Sequence, residues 1–127
     1  MTLDITPSIP VGRQIIQTYG DYQFKVSNVV HENPIVVFQN ETVEWSTSCI
    51  DNLSGTSFSA ILKNNSTIEI LLIGCGTGAK LIKTNLLVEL KNAGITVEPM
   101  DTGAACRTFN VLIAEDRRVA AALIPVA

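Results

Sequence analysis

The chain has 127 residues, 46% of them hydrophobic, and a formal net charge of -3: enough for one domain with one core, without the basic stripe a nucleic-acid binder needs to neutralise phosphates. No nucleic-acid partner is therefore expected. The densest basic cluster, Arg117 and Arg118, directly follows Glu115 and Asp116, and no apolar run approaches the roughly 18 residues of a bilayer span.

The opening "MTLDITPSIPVGRQ" has neither the layout of a secretory signal nor the Arg-rich character of a transit peptide, so a cytoplasmic chain beginning near Met1 is expected. Cys49, Cys75 and Cys106 are odd in number and lack a CxxC or Cys/His cluster. A reducing compartment and no metal site follow.

Residues 1–20, with Pro7 and Pro10 and no sustained period, read as an extended arm ahead of one domain over 21–127. "YQFKVSNVV", "PIVVF" and "TVEW" then alternate or run apolar between turn-rich stretches, which predicts a three-strand meander carrying the lone Trp45 in or near the core. "CIDNLSGTSFSAILKNN" sets Phe58, Ile61 and Leu62 at helical spacing after Thr56. A short helix is predicted there.

The second half changes style. "TIEILLI" reads as a strand buried on both faces, "TNLLVELKNAG" as a helix with Leu86, Leu87 and Leu90 inward and Gly94 as its stop, and "ITVEPM" as a second strand. Residues 102–115 predict a second main helix, with Ala105, Phe109, Leu112 and Ile113 inward, and "RRVAAALI" a last strand. The expected fold class is α/β: a three-layer domain with a mixed central sheet, an N-terminal β meander and two main helices.

"GCGTGA" at 74–79 fits the spacing of a dinucleotide-binding turn, and Glu98 lies where an acid would take ribose hydroxyls. Against that reading, Lys80 to Lys83 separate the glycines from the next helical face, and only 29 residues follow Glu98. A structural turn is favoured and no cofactor is expected, with nucleotide or small-molecule binding at this loop kept as an alternative. At the strand-to-helix junction, Asp101 and Thr102 read as helix caps or ligand contacts. Arg107 reads as an internal partner of Glu98, Asp101 or Glu115, or as a grip on an external carboxylate. Cys106, in the first turn of that helix, has no general base nearby in sequence and reads as a small buried residue.

The combination of "LLIGCGTGA", "GITVEPMDTGAACRTFNVLIAEDRRVAAALI" and Trp45 resembles a small domain family of unknown biochemical function that includes mitochondrial respiratory complex I assembly factor 3 and its bacterial relatives. The resemblance implies the three-layer fold, no established enzymatic activity, and protein partners connected with respiratory or membrane machinery. The family's recurrent positions fall here on Gly74, Gly76, Gly78, Glu98, Asp101, Thr102, Ala105, Arg107, Asn110 and Glu115; Cys75 stands where a threonine is more usual. Candidate ligand- or partner-binding residues are Gly74, Gly76, Gly78, Glu98, Asp101, Thr102, Arg107 and Asn110, with no catalytic residue expected. A mean hydropathy of +0.30 leaves apolar surface that a partner or a second copy would cover, so a structural homo-oligomer is a further alternative.

Overall fold

A computed structural model describes residues 10–47 and 49–127. Among the described residues, eight strands form two sheets. Strands β1 (Ile16–Gly20), β2 (Gln23–Val26) and β3 (Val29–His31) make a small antiparallel meander. The central sheet has the order β5 (Thr42–Glu44), β4 (Ile35–Val37), β8 (Val119–Leu123), β6 (Ile70–Gly74), β7 (Thr96–Met100). It is mixed: β6 runs parallel to both β7 and β8, while β4 runs antiparallel to β8 and β5.

The meander differs from its sequence reading in composition. "YQFKVSNVV" is a hairpin rather than one strand, because Ser27 and Asn28 take positive φ values of 45° and 71° and turn the chain in two residues. "PIVVF" and "TVEW" belong to the central sheet. The arm expected over 1–20 falls outside the described residues up to position 9, and its last five residues are β1, hydrogen-bonded to β2.

Helices α1 (Ser59–Lys63) and α2 (Thr84–Asn92) cover one face of the central sheet, and α3 (Thr102–Ala114) covers the other. Alternation along the strands sorts the core. Val36, Leu71, Ile73, Ala120 and Ala122 face Phe58, Ile61, Leu86 and Leu90 on the first side. Ile35, Val37, Leu72, Val119, Ala121 and Leu123 face Ala105, Phe109 and Ile113 of α3 together with Ile16, Phe24 and Val26 of the small sheet. Each large buried side chain here contributes roughly 1.5–3 kcal/mol. The alanines of β8 suit a central strand pressed from both faces.

Trp45 is buried, its Nε1 donating to the Ser57 carbonyl at 2.7 Å and its ring tilted 47° to Phe58 at 6.2 Å. The α2 helix ends as the sequence predicts, Gly94 sitting at φ 84° just beyond its C-cap. At its start Lys83 holds the N-cap position with no side-chain cap bond, and Thr84 is the first helical residue. From β6, α2 leads one way to β7; from β7, α3 returns over the opposite face to β8. Both crossovers therefore have the same hand. They diverge at the carboxyl ends of β6 and β7, the place where open α/β sheets seat their ligands.

Candidate functional site

The glycine loop lies at that divergence. Gly74 ends β6, and a side chain there would collide: a Cβ would stand 2.9 Å from Leu123 Cδ2 and 3.0 Å from Thr102 Cα. Glycine is needed because the first turn of α3 presses directly on the strand. Gly76 adopts φ 101°, a conformation that disfavours any L side chain. Gly78 has neither constraint, with no positive φ and nothing within 4 Å of an added Cβ.

Thr102, fully buried, occupies the crevice. Its hydroxyl donates to the Ile124 carbonyl at 2.7 Å and accepts from the Gly76 N–H at 3.0 Å. Its own N–H donates to the Gly76 carbonyl at 2.9 Å. Around it the Cys75 N–H donates to the Met100 carbonyl at 2.8 Å and the Ile124 N–H to the Gly74 carbonyl at 3.0 Å. One threonine thus ties the ends of β6 and β8 to the start of α3.

The helix that meets the glycine loop is α3, not the α2 that follows it in sequence, since α2 begins only at Thr84. Its amino end is already capped. Asp101 accepts the Ala104 N–H on its side chain at 2.8 Å and the Ala105 N–H on its carbonyl at 3.0 Å. The cap reading of Asp101 is what the structure displays. The N–H groups of Cys75, Gly76, Thr102, Ala104 and Ala105, which would be among those to face a phosphate in a dinucleotide turn, are here committed to the protein itself.

Arg107 corrects an expectation. It makes no ion pair with Glu98, Asp101 or Glu115; its guanidinium donates from Nη1 to the Tyr19 hydroxyl on β1. Asp101 and Glu115 lie six and eight residues away along the chain, outside the three-to-four residue spacing that brings helical side chains together. The neighbour on the Arg107 side is β1, which sequence reading placed in the arm.

Glu98 stands exposed on the edge strand β7, in an open groove with Thr96, Met100, Thr108 and Leu112, away from the glycine loop. Asn110 serves as a backbone mimic. Its Oδ1 accepts the Ile16 N–H at 2.9 Å and its Nδ2 donates to the Ile16 carbonyl at 2.8 Å, pairing α3 with β1 where the β1–β2 register shifts. The eight candidate residues therefore divide: Gly74, Gly76, Asp101 and Thr102 form one junction, Arg107 and Asn110 face β1, and Gly78 and Glu98 stand apart.

Cys75 and Cys106 are buried. Burial is the main cause that pushes the Cys106 thiol from 9.0 to about 12, outweighing the lowering effect of Arg107, while Asp101 raises it further. Such a thiol is a poor nucleophile at neutral pH. Among the described residues no group of His, Cys, Asp and Glu is arranged to hold a metal, and no helix is long and apolar enough to cross a membrane.

Known proteins share this architecture. A solved protein of Bartonella henselae, described as an outer membrane protein, superposes with a TM-score of 0.85 at 35% identity, covering 94% of this chain and all of that one (100%). A Bordetella pertussis protein described as a Mth938-like domain superposes at 0.83 with 25% identity, covering 98% and 92%. NADH dehydrogenase (ubiquinone) 1 alpha subcomplex assembly factor 3 of Danio rerio is 34% identical over 111 residues, 87% of this chain and 64% of that protein. An uncharacterised protein of Rhodobacter capsulatus is 32% identical over 114 residues, 90% and 86% of the two chains. This chain spans just under two thirds of the assembly factor's length. Residues 16–124 match the family described as protein of unknown function (DUF498/DUF598), and the chain belongs to it.

Proposed function

We propose that this member of the DUF498/DUF598 family is a non-enzymatic protein-interaction module that assists assembly of a membrane-bound respiratory complex. The observation that carries the reading is the likeness, over 87% of the chain, to proteins named as NADH dehydrogenase assembly factors. The glycine loop supports it. Where an α/β enzyme would hold a cofactor, this chain packs Thr102, and the amides of Cys75, Gly76, Thr102, Ala104 and Ala105 bond to the protein's own carbonyls and side chains. What remains for function is the outer surface, working from the cytoplasmic side.

The test is affinity purification of the tagged full chain from the cells that express it, with quantitative mass spectrometry against a tag-only control. Enrichment of NADH dehydrogenase subunits in sub-complexes smaller than the finished enzyme is the expected outcome. A preparation that enriches only unrelated proteins, or none, overturns the reading.

A further inference from the structure

The chain has four arginines. Three meet carboxylates: Arg13 reaches Asp116 at 3.1 Å, and Arg117 and Arg118 share Glu69 at 2.9 Å and 3.9 Å. Arg107 is the exception among the described residues. It is exposed, and its guanidinium donates to the phenol hydroxyl of Tyr19.

That contact is built into the fold. The Tyr19 ring lies against the first turn of α3 because position 103 is glycine: a Cβ there would stand 3.1 Å from both the Tyr19 hydroxyl and a ring carbon, and 3.2 Å from Arg107 Nη1. Tyr19, Gly103 and Arg107 form a fitted unit that orients the guanidinium without neutralising it. Part of the entropy of ordering a long side chain is therefore lost before any partner arrives, which lowers the cost of a later contact. The Asp101 carboxylate is engaged in the helix cap.

The surroundings suit a protein. Tyr19 is 40% exposed, and Val111, one helical turn beyond Arg107 on the same face of α3, is 52% exposed. Arginine and tyrosine are the residue types that dominate protein interfaces, and a planar guanidinium matches a carboxylate with two parallel hydrogen bonds.

We propose that Arg107, Tyr19 and Val111 form a docking surface for an acidic segment of a partner protein, whose carboxylate engages the unpaired guanidinium while a neighbouring apolar side chain covers Val111. The surface rests on the interaction-module reading only in requiring a protein partner. It does not require that partner to be respiratory.

A photo-crosslinking amino acid placed at position 111 of the full chain, with position 88 on the α2 side of the molecule as control, tests it in the expressing cells. Val88 is comparably exposed, at 49%. Mapping of the cross-linked peptide should show attachment from position 111 within a few residues of an Asp or Glu of another protein. Arg107→Glu should cut that yield roughly tenfold and Arg107→Lys only severalfold. Replacing the partner's acid by Lys should restore cross-linking to Arg107→Glu. Thermal melts confirm that the variants fold. No product from position 111, an unchanged yield in Arg107→Glu, a target segment without an acid, or a second copy of this chain as sole target would each overturn the surface. An acidic target outside the respiratory enzyme would keep the surface and defeat the assembly reading; a dehydrogenase subunit caught only from position 88 would do the reverse.

Discussion

Thr102 shows how one side chain can close a site that its surroundings advertise. Its hydroxyl serves as donor and acceptor at once, to Ile124 and Gly76, and valine would keep the shape while taking that partner from two half-buried backbone groups. Thr102→Val should then cost about 1–3 kcal/mol in urea unfolding, with Thr102→Ser retaining most of the stability. Arg107 lies at the other extreme. Exposed and bonded to a phenol, it holds no buried carboxylates together, so Arg107→Ala should lower stability by no more than about 1 kcal/mol. Cys106 carries a pH signature. Its thiol is raised from 9.0 to about 12, so the folded chain keeps a proton that the unfolded chain releases. The linked stability is full below pH 9 and is lost as pH rises towards 12, at a slope of up to about 1.4 kcal/mol per pH unit. Urea midpoints followed from pH 8 to 11 should fall more steeply for wild type than for Cys106→Ala. Equal slopes would mean that the thiol is not held neutral by burial.

Among the elements, those with a local period were legible and those fixed by distant partners were not. The apolar spacing of Leu86 and Leu90, and of Ala105, Phe109 and Ile113, marked the buried faces of α2 and α3. By contrast, β1 has one buried residue, Ile16, in five, so no alternation announces it. It is held by pairing with β2 and by the Asn110 amide on α3, a contact spanning 94 positions. Asn110→Ala should therefore loosen β1 selectively, speeding amide exchange at Ile16 while leaving exchange in β6 and β8 unchanged. Uniform acceleration would show that the contact is not specific to β1. The Asp21–Tyr22 turn was equally hidden, since both residues take positive φ without being glycine, at 52° and 57°. The C-terminal segment braces it through the Val126 carbonyl, which accepts the Tyr22 N–H at 2.8 Å. On β7, the Thr96 N–H and Met100 carbonyl turn inward to neighbouring backbone, so the intervening Pro99 faces the open edge. The missing donor weakens that edge as a template for another strand.

For the whole molecule, the layer order followed from the change of pattern between halves: alternating strands first, then strand, helix, strand, helix, strand. Where the glycine loop points did not. A sequence reads "GCGTGA" against the helix that comes next, but three dimensions set it against α3, which arrives some 26 residues later and brings Thr102. The same fact shifts attention from the crevice to the surface, which the proposed partner-binding role would use. Calorimetric titration of the purified chain with NAD, NADP and ATP tests this most directly. The account predicts no saturable heat with any of the three at millimolar ligand; micromolar binding of one of them would contradict it, because the loop would then have to open around Thr102 to admit a nucleotide.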